Sequence, residues 1–477
     1  MEITELDAIP LSRAIHERAV SCREVMAAYL ARIDAQNPRV NAIVSRVPHE
    51  TLLAQADACD RELAAGRSRG WMHGMPQAIK DLALVRGLPS TKGSPLFVDF
   101  VPGEDSVMVD RMRASGALIV GRTNVPEFGL GSNTYNTVFG ATGNAYDPGR
   151  TAGGSSGGAA VALALRMLPV ADGSDMGGSL RNPAAFNNVF GMRPSQGRVP
   201  YYPALDVWMS QLGTEGPMGR TVEDVARLLS VQAGHDRRVP LSLGDDPACF
   251  AQPLTCEPRG LRIGYLGDLG GYLPLEAGVD ALCRAALAAF AALGCEVDDQ
   301  VAIGFDPARL WDCWIALRSV QTSGPLLEFD ADPAKRALLK PEARWEVDNA
   351  RGVSAFNVFR AATVRSQWYQ QVCRLFERYD FLVQPTAQVF PFPLEQHWPG
   401  EVGGRAMDTY HRWMEIVVPW TLAGLPVLSV PAGFGGAAGL PMGLQLIGPP
   451  RGDLGVLQLG AAYDAATGWV RNRRPAL

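Results

Sequence analysis

The sequence predicts an α/β fold: one domain with a mixed central β-sheet flanked by helices. Strand-like and helix-like segments alternate along the chain. The 51 glycines and 35 prolines are spread through it as turn punctuation, not gathered into a low-complexity tract. No linker-like stretch divides the 477 residues, so 1–477 reads as a single unit although length alone allows two or three. No internal repeat is evident.

The elements follow in order. Residues 11–35 read as helix, with Ser21 and Glu24 in a capping-box pattern. An apolar stripe of Val25, Met26, Tyr29, Leu30 and Ile33 follows. Residues 76–84 read as a short buried strand carrying one lysine, 106–114 as helix and 117–120 as strand. The stretch 121–158 is rich in Gly, Asn, Thr and Pro, and loops of that length are usually functional or disordered. Residues 159–167 read as helix, 168–171 as strand and 172–178 as loop, with a helix start near Ser179. Thr221 and Asp224 cap a helix over 222–231. A polar crossover spans 237–258. A strand at 261–266 and a helix at 275–293 form an α/β unit. Residues 305–378 carry helical patterns, and 381–383, 427–430 and 443–447 read as core strands.

Composition excludes several classes. Apolar residues make up 47% and charged residues 19%, a globular balance. A net charge of −5 leaves no basic footprint for direct nucleic-acid binding. No uncharged apolar run approaches about 18 residues, so no membrane span is expected. The acidic N-terminus lacks a signal-peptide pattern. The eight cysteines form no C-x-x-C pair, which fits buried or free thiols in a reducing cytoplasm. The six histidines show no metal-like spacing, and His73 is expected at the surface. Neither metal nor cofactor is expected. A homodimer is compatible with a soluble enzyme of this size.

The chemistry-bearing stretch is 149–198, where two Gly-Ser-rich turns each lead towards a helix. Helix N-termini offer unpaired N–H groups and partial positive charge, which suit an oxyanion. A phosphate loop is excluded because G-x-x-x-x-G-K-[ST] is absent. G-x-S-x-G occurs twice, around Ser155 and Ser156, as in the nucleophile elbow of α/β-hydrolase esterases. That elbow needs a strand immediately before it, and residues 144–151, with Pro148 and Gly149, make a poor one. Its histidine would have to be His235, His397 or His411.

A third reading rests on three motifs: AIKD at 78–81, GGSSGG at 153–158 and GSDMGGSLRNPAAF at 173–186. Ser155 and Ser179 stand 24 residues apart. In these the chain resembles the amidase signature family, strongly over about 65–235 and more weakly over 415–450. The resemblance implies an amidohydrolase with Ser179 as nucleophile, Ser155 as a bridging serine often preceded by a cis peptide, and Lys80 as base. It implies an acyl-enzyme intermediate and a small-molecule amide substrate. The oxyanion hole would be the N–H groups of Met176, Gly177, Gly178 and Ser179, with Ser156, Asp175 and Arg181 in support. Members commonly read Thr where Met176 stands and Cys where Asn187 stands. Segments 210–229, 419–434 and 443–448 resemble the glutamine-hydrolysing component of the tRNA-dependent amidotransferase, but the acid expected before Pro419 is displaced to Glu415.

The physical logic is independent of the resemblance. A serine hydroxyl needs a neighbour to take its proton. A lysine can do so only when neutral, and burial favours the neutral form. Asp81 follows at once, but adjacent strand residues face opposite ways. Taken alone, a lysine in an apolar segment is more often an edge-strand lysine facing water. Trp311 and Trp314 are the candidates for an apolar or aryl pocket, though aromatic residues at helical spacing are usually core.

Overall fold

The structure, a computed structural model, describes residues 2–477. Thirteen strands are found among the described residues. In chain order they are β1 (Ile43–Val44), β2 (Pro76–Lys80), β3 (Leu118–Thr123), β4 (Ala171–Asp175), β5 (Phe190–Arg193), β6 (Thr214–Gly219), β7 (Arg262–Tyr265), β8 (Glu296–Asp298), β9 (Phe381–Pro385), β10 (Glu401–Val402), β11 (Arg405–Ala406), β12 (Val427–Gly435) and β13 (Leu440–Ile447). Eight of them build one mixed sheet in the order β4-β6-β5-β12-β13-β9-β7-β8. It is antiparallel from β4 to β9, and parallel from β9 through β7 to β8. Helices flank it, as expected for the α/β class.

The lysine strand is not in that sheet. β2 belongs to a separate three-stranded sheet of order β1-β3-β2, parallel to β3. Both faces of β2 are buried: Ile79 joins the larger apolar core and Ala78 a smaller one beneath the helix Cys22–Val40. β2 is an edge strand, yet β4 covers its edge, and the Lys80 N–H donates to Asp172 Oδ2 at 3.0 Å.

Several boundaries differ from the sequence reading, each for a local reason. The helix expected over 11–35 is two helices, Ala8–His16 and Cys22–Val40. Arg18 adopts a left-handed φ of 57° and Ala19 N–H closes on Ala14 O, a helix-ending turn. The Ser21–Glu24 capping box then starts the second helix. The strand expected over 76–84 stops at Lys80, where the N–H groups of Leu82 and Ala83 turn back onto Lys80 O. The strand expected at 168–171 lies at 171–175, inside what reads as loop. Ala-Asp-Gly-Ser-Asp has little strand propensity. It is held extended by pairing with β6 from Ala171↔Met218 to Asp175↔Thr214, a tertiary override of local preference. Gly173 and Gly216 face each other there, and a Cβ at either would meet the Leu180 side chain, at 2.6 Å and 2.9 Å.

The two Gly-Ser turns are fixed by equally close approaches. The helix Gly157–Ala164 begins against the end of β3, where a Cβ on Gly158 would lie 2.4 Å from Asn124 N and 2.5 Å from Ala42 O. Those neighbours are backbone and cannot swing aside. Gly158→Ala is therefore expected to destabilise the protein by about 1–3 kcal/mol, read as a lower denaturant midpoint at unchanged slope.

Candidate active site

Lys80 ends β2 with its ammonium-bearing chain fully enclosed, 1% exposed. Its Nζ lies 2.8 Å from Ser155 Oγ, 2.8 Å from Ser156 Oγ, 3.0 Å from Ser174 Oγ and 3.2 Å from Ser174 O. Burial pulls its pKa from 10.5 down to about 7, against the opposing charges of Asp172, Asp175 and Glu215. Nζ is placed to donate to three serine hydroxyls and one carbonyl. Lys80 thus faces hydroxyls, not water. Asp81 pairs with Arg122 at 3.3 Å and accepts from Thr91, away from the amine.

Ser155 and Ser156 sit at the turn into the helix Gly157–Ala164, and the Gly154–Ser155 peptide is cis. This turn is tied to the second one, because the Ser156 N–H donates to Ser179 O at 3.2 Å. The second turn leaves β4 and enters the helix Arg181–Phe186. Asp175 organises it. Its carboxylate accepts from the N–H groups of Gly178 at 3.0 Å and Leu180 at 3.1 Å, and from Arg181 Nη2 at 2.9 Å and Nε at 3.0 Å. Arg193 adds a contact at 3.4 Å. These cations and N–H groups hold Asp175 well below the usual carboxylate range despite its burial. The Asp175–Arg181 pair expected from sequence is therefore present, and Arg193 is a third member that sequence reading missed.

The turn exposes N–H groups, with one correction. Gly178, expected among the oxyanion donors, gives its N–H to Asp175 instead. Among the described residues, the N–H groups of Met176, Gly177 and Ser179 have no acceptor. Ser179 is 8% exposed.

The aromatic residues resolve into two roles. Trp314 is fully buried against the Ser179 turn, where a Cβ on Gly177 would lie 3.1 Å from Trp314 Cζ2 and 3.4 Å from Met414 Cε. Trp311, one helical turn away, is also buried, and borders a separate cavity of about 410 Å³ with Trp345 that includes none of Lys80, Ser155 or Ser179. Arg318 donates to Met176 Sδ at 3.3 Å and to Glu346 and Tyr410, so a buried polar network backs the turn. Glu415 is engaged by Tyr272 at 2.8 Å and Arg412 at 3.0 Å.

Histidines take no part. His73 is buried, not at the surface: it accepts from Arg69 N–H at Nδ1 and contacts Cys59 O at Nε2. It stands with Cys59 and Glu62, a grouping that sequence spacing concealed, but its ring nitrogens are engaged and Glu62 is clamped by Arg69. Among the described residues no histidine is a hydrogen-bond partner of Ser155, Ser156 or Ser179, and no strand leads into the first turn. The nucleophile-elbow reading fails on both counts. No helix of the described residues is long and apolar enough to cross a membrane.

Comparison with known proteins agrees with this geometry. The amidase family model matches residues 24–457. The glutamyl-tRNA(Gln) amidotransferase A-subunit of Chloroflexus aurantiacus is 35% identical, covering 100% of this chain and 99% of that protein. An acylamidase of Rhodococcus erythropolis is 33% identical, covering 99% and 97%. The crystal structure of a bacterial aryl acylamidase superposes with a TM-score of 0.91 at 29% identity, covering 98% of both chains. That of 6-aminohexanoate cyclic dimer hydrolase superposes at 0.86 and 26%, covering 99% of both. The chain belongs to the amidase signature family and is an amide hydrolase.

Proposed function

We propose that this enzyme cleaves a small carboxylic amide through a covalent acyl-enzyme on Ser179, with Ser155 relaying protons and Lys80 as base. The observation that carries the reading is the buried Lys80 amine 2.8 Å from Ser155 Oγ, in a turn tied to Ser179 through the Ser156 N–H. Neutral Lys80 takes the Ser155 proton as Ser155 takes that of Ser179, and Ser179 Oγ attacks the amide carbon. The oxyanion is received by free N–H groups among Met176, Gly177 and Ser179, which need no reorganisation as charge develops. Ser155 returns a proton to the leaving amine. Water then repeats the sequence on the acyl ester.

For substrate, Trp314 and Met414 pack beside Gly177, next to Met176 on the turn itself, and this apolar surrounding favours an apolar or aryl amide. Relatives named acylamidase and aryl acylamidase point the same way. A second reading, glutamine hydrolysis for a tRNA-dependent partner, draws on the similarity to the glutamyl-tRNA(Gln) amidotransferase. Against it, Glu415 already serves Arg412 and Tyr272 and is not free for a substrate ammonium.

The test is turnover of glutamine, an aliphatic amide, an anilide and a p-nitrophenyl ester by the wild type, Lys80→Ala and Ser179→Ala. Anilide hydrolysis is expected in the wild type. Ser179→Ala should fall to background and Lys80→Ala should lose about 10²–10⁴-fold. Turnover of glutamine alone moves the assignment to the second reading, and full activity in Ser179→Ala sinks both.

The pH profile has a definite sign. Lys80 acts only when unprotonated, so kcat/KM should rise as pH passes about 7 and hold into alkaline solution. A profile that falls on the alkaline side through that range would remove lysine as the base.

A further inference from the structure

Glu215 is a buried acid that the mechanism above leaves without a task. It lies on β6, 2% exposed, and its Oε2 has no hydrogen-bond partner among the described residues. Leaving a carboxylate oxygen so enclosed is costly unless a nearby charge compensates it. The ladder shows where that charge is. Glu215 is directly opposite Ser174 in the antiparallel β4–β6 pair. Residues so opposed project on the same face with Cβ atoms about 4.5–5.5 Å apart. Ser174 is the residue whose hydroxyl and carbonyl receive Lys80 Nζ. Glu215 and Lys80 therefore flank Ser174 from two different sheets, near enough for their charges to interact but without a direct ion pair.

Resting on the serine–lysine reading, we propose that Glu215 is a positioning residue that sets the ionisation of Lys80: the two buried groups share one proton, so that together they carry no net charge inside the site. When the proton is on the amine, an ammonium faces a carboxylate; when it is on the carboxyl, a free amine faces a neutral acid. Either form keeps the pair neutral in a medium that penalises unpaired charge. The second form is the one that can accept the Ser155 proton. Only when the shared proton leaves for solvent is the amine free in every molecule.

Three acids act on Lys80, Asp172 most strongly, and Glu215 is the one with a carboxylate oxygen left without a partner. Asp175, on β4, is committed to Arg181 and Arg193. Asp172, also on β4, accepts the Lys80 N–H and Gln77 Nε2 and feels Arg122 from β3. Tyr201, before β6, feels the Glu215 charge. Burial and the Asp172 charge push the Glu215 carboxyl up to about 8, against the pull of Lys80, which brings it into the range where Lys80 itself titrates.

The experiment reads nucleophile activation without needing the natural substrate. Ser179 is labelled by a fluorophosphonate probe, whose phosphorus the activated serine attacks with loss of fluoride. The labelling rate is followed by intact mass from pH 5 to 10 in the wild type, Glu215→Gln, Glu215→Ala and Ser179→Ala, with melting curves to verify folding. Glutamine is isosteric but cannot supply the anion that draws the proton onto Lys80. Its labelling rate should therefore reach its alkaline plateau about one pH unit lower than wild type, through a steeper limb. Glu215→Ala should shift the same way. Profiles of folded Glu215 variants that superpose on wild type overturn the proposal alone. Labelling that persists in Ser179→Ala overturns the serine reading and this proposal with it.

Discussion

The site depends on burying a lysine amine among oxygens that can receive a proton as well as give one. Four oxygens, from Ser155, Ser156 and Ser174, surround the buried Lys80 Nζ within 3.2 Å. Elsewhere in a protein such a lysine would be destabilising, since desolvation opposes its charge. In the proposed mechanism that opposition is put to use: it lowers the amine's pKa into the range where an unprotonated form is available. The architecture serves this. Lys80 comes from the small sheet, Ser174 from the edge of the large one, and Ser155 and Ser156 from the turn between the two cores. Moving either sheet by an ångström would break the set.

A second constraint is anionic. Asp175 gathers two arginines and two backbone N–H groups, and thereby dictates the path of the turn that carries Ser179. A buried carboxylate with this many partners is rigid, and removing one partner of such a cluster costs about 3–5 kcal/mol because the others are left uncompensated. By taking the Gly178 N–H, Asp175 fixes which N–H groups of the turn stay free, the ones that the proposed mechanism assigns to an oxyanion.

Much of this was legible in the sequence, and the gaps have physical causes. The motifs placed Lys80, Ser155, Ser156, Asp175, Ser179 and Arg181 in one neighbourhood, because close backbone approach leaves a signature of glycines at fixed spacing. The buried strand around Lys80 was legible from its apolar run, but its membership of a second sheet was not, since strand pairing is non-local. The larger loss came at β4. With 172–178 read as loop, nothing distinguished Asp172 and Ser174. A strand over 171–175 puts those two on one face by alternation, towards Lys80, and Asp175 on the other. Glu215 became visible only through register. His73 was misplaced because a lone histidine carries no periodic signal, and its partners Arg69 N–H and Cys59 O are backbone atoms.

The charges within this region show how a site rich in acids could keep the neutral base that the proposed mechanism needs. Asp175 is paid for by Arg181 and Arg193, and Asp81 is matched by Arg122 on the far side of β2. Asp172 is held by hydrogen bonds from Lys80 N–H and Gln77. Each of these carboxylates answers to a group other than the Lys80 ammonium, so their pull on its proton is partly spent. An acid left free beside the amine would hold that proton and disarm the base. Around Lys80, Asp81, Asp172 and Asp175 each have a partner of their own, so the strongest carboxylates of the region are satisfied elsewhere.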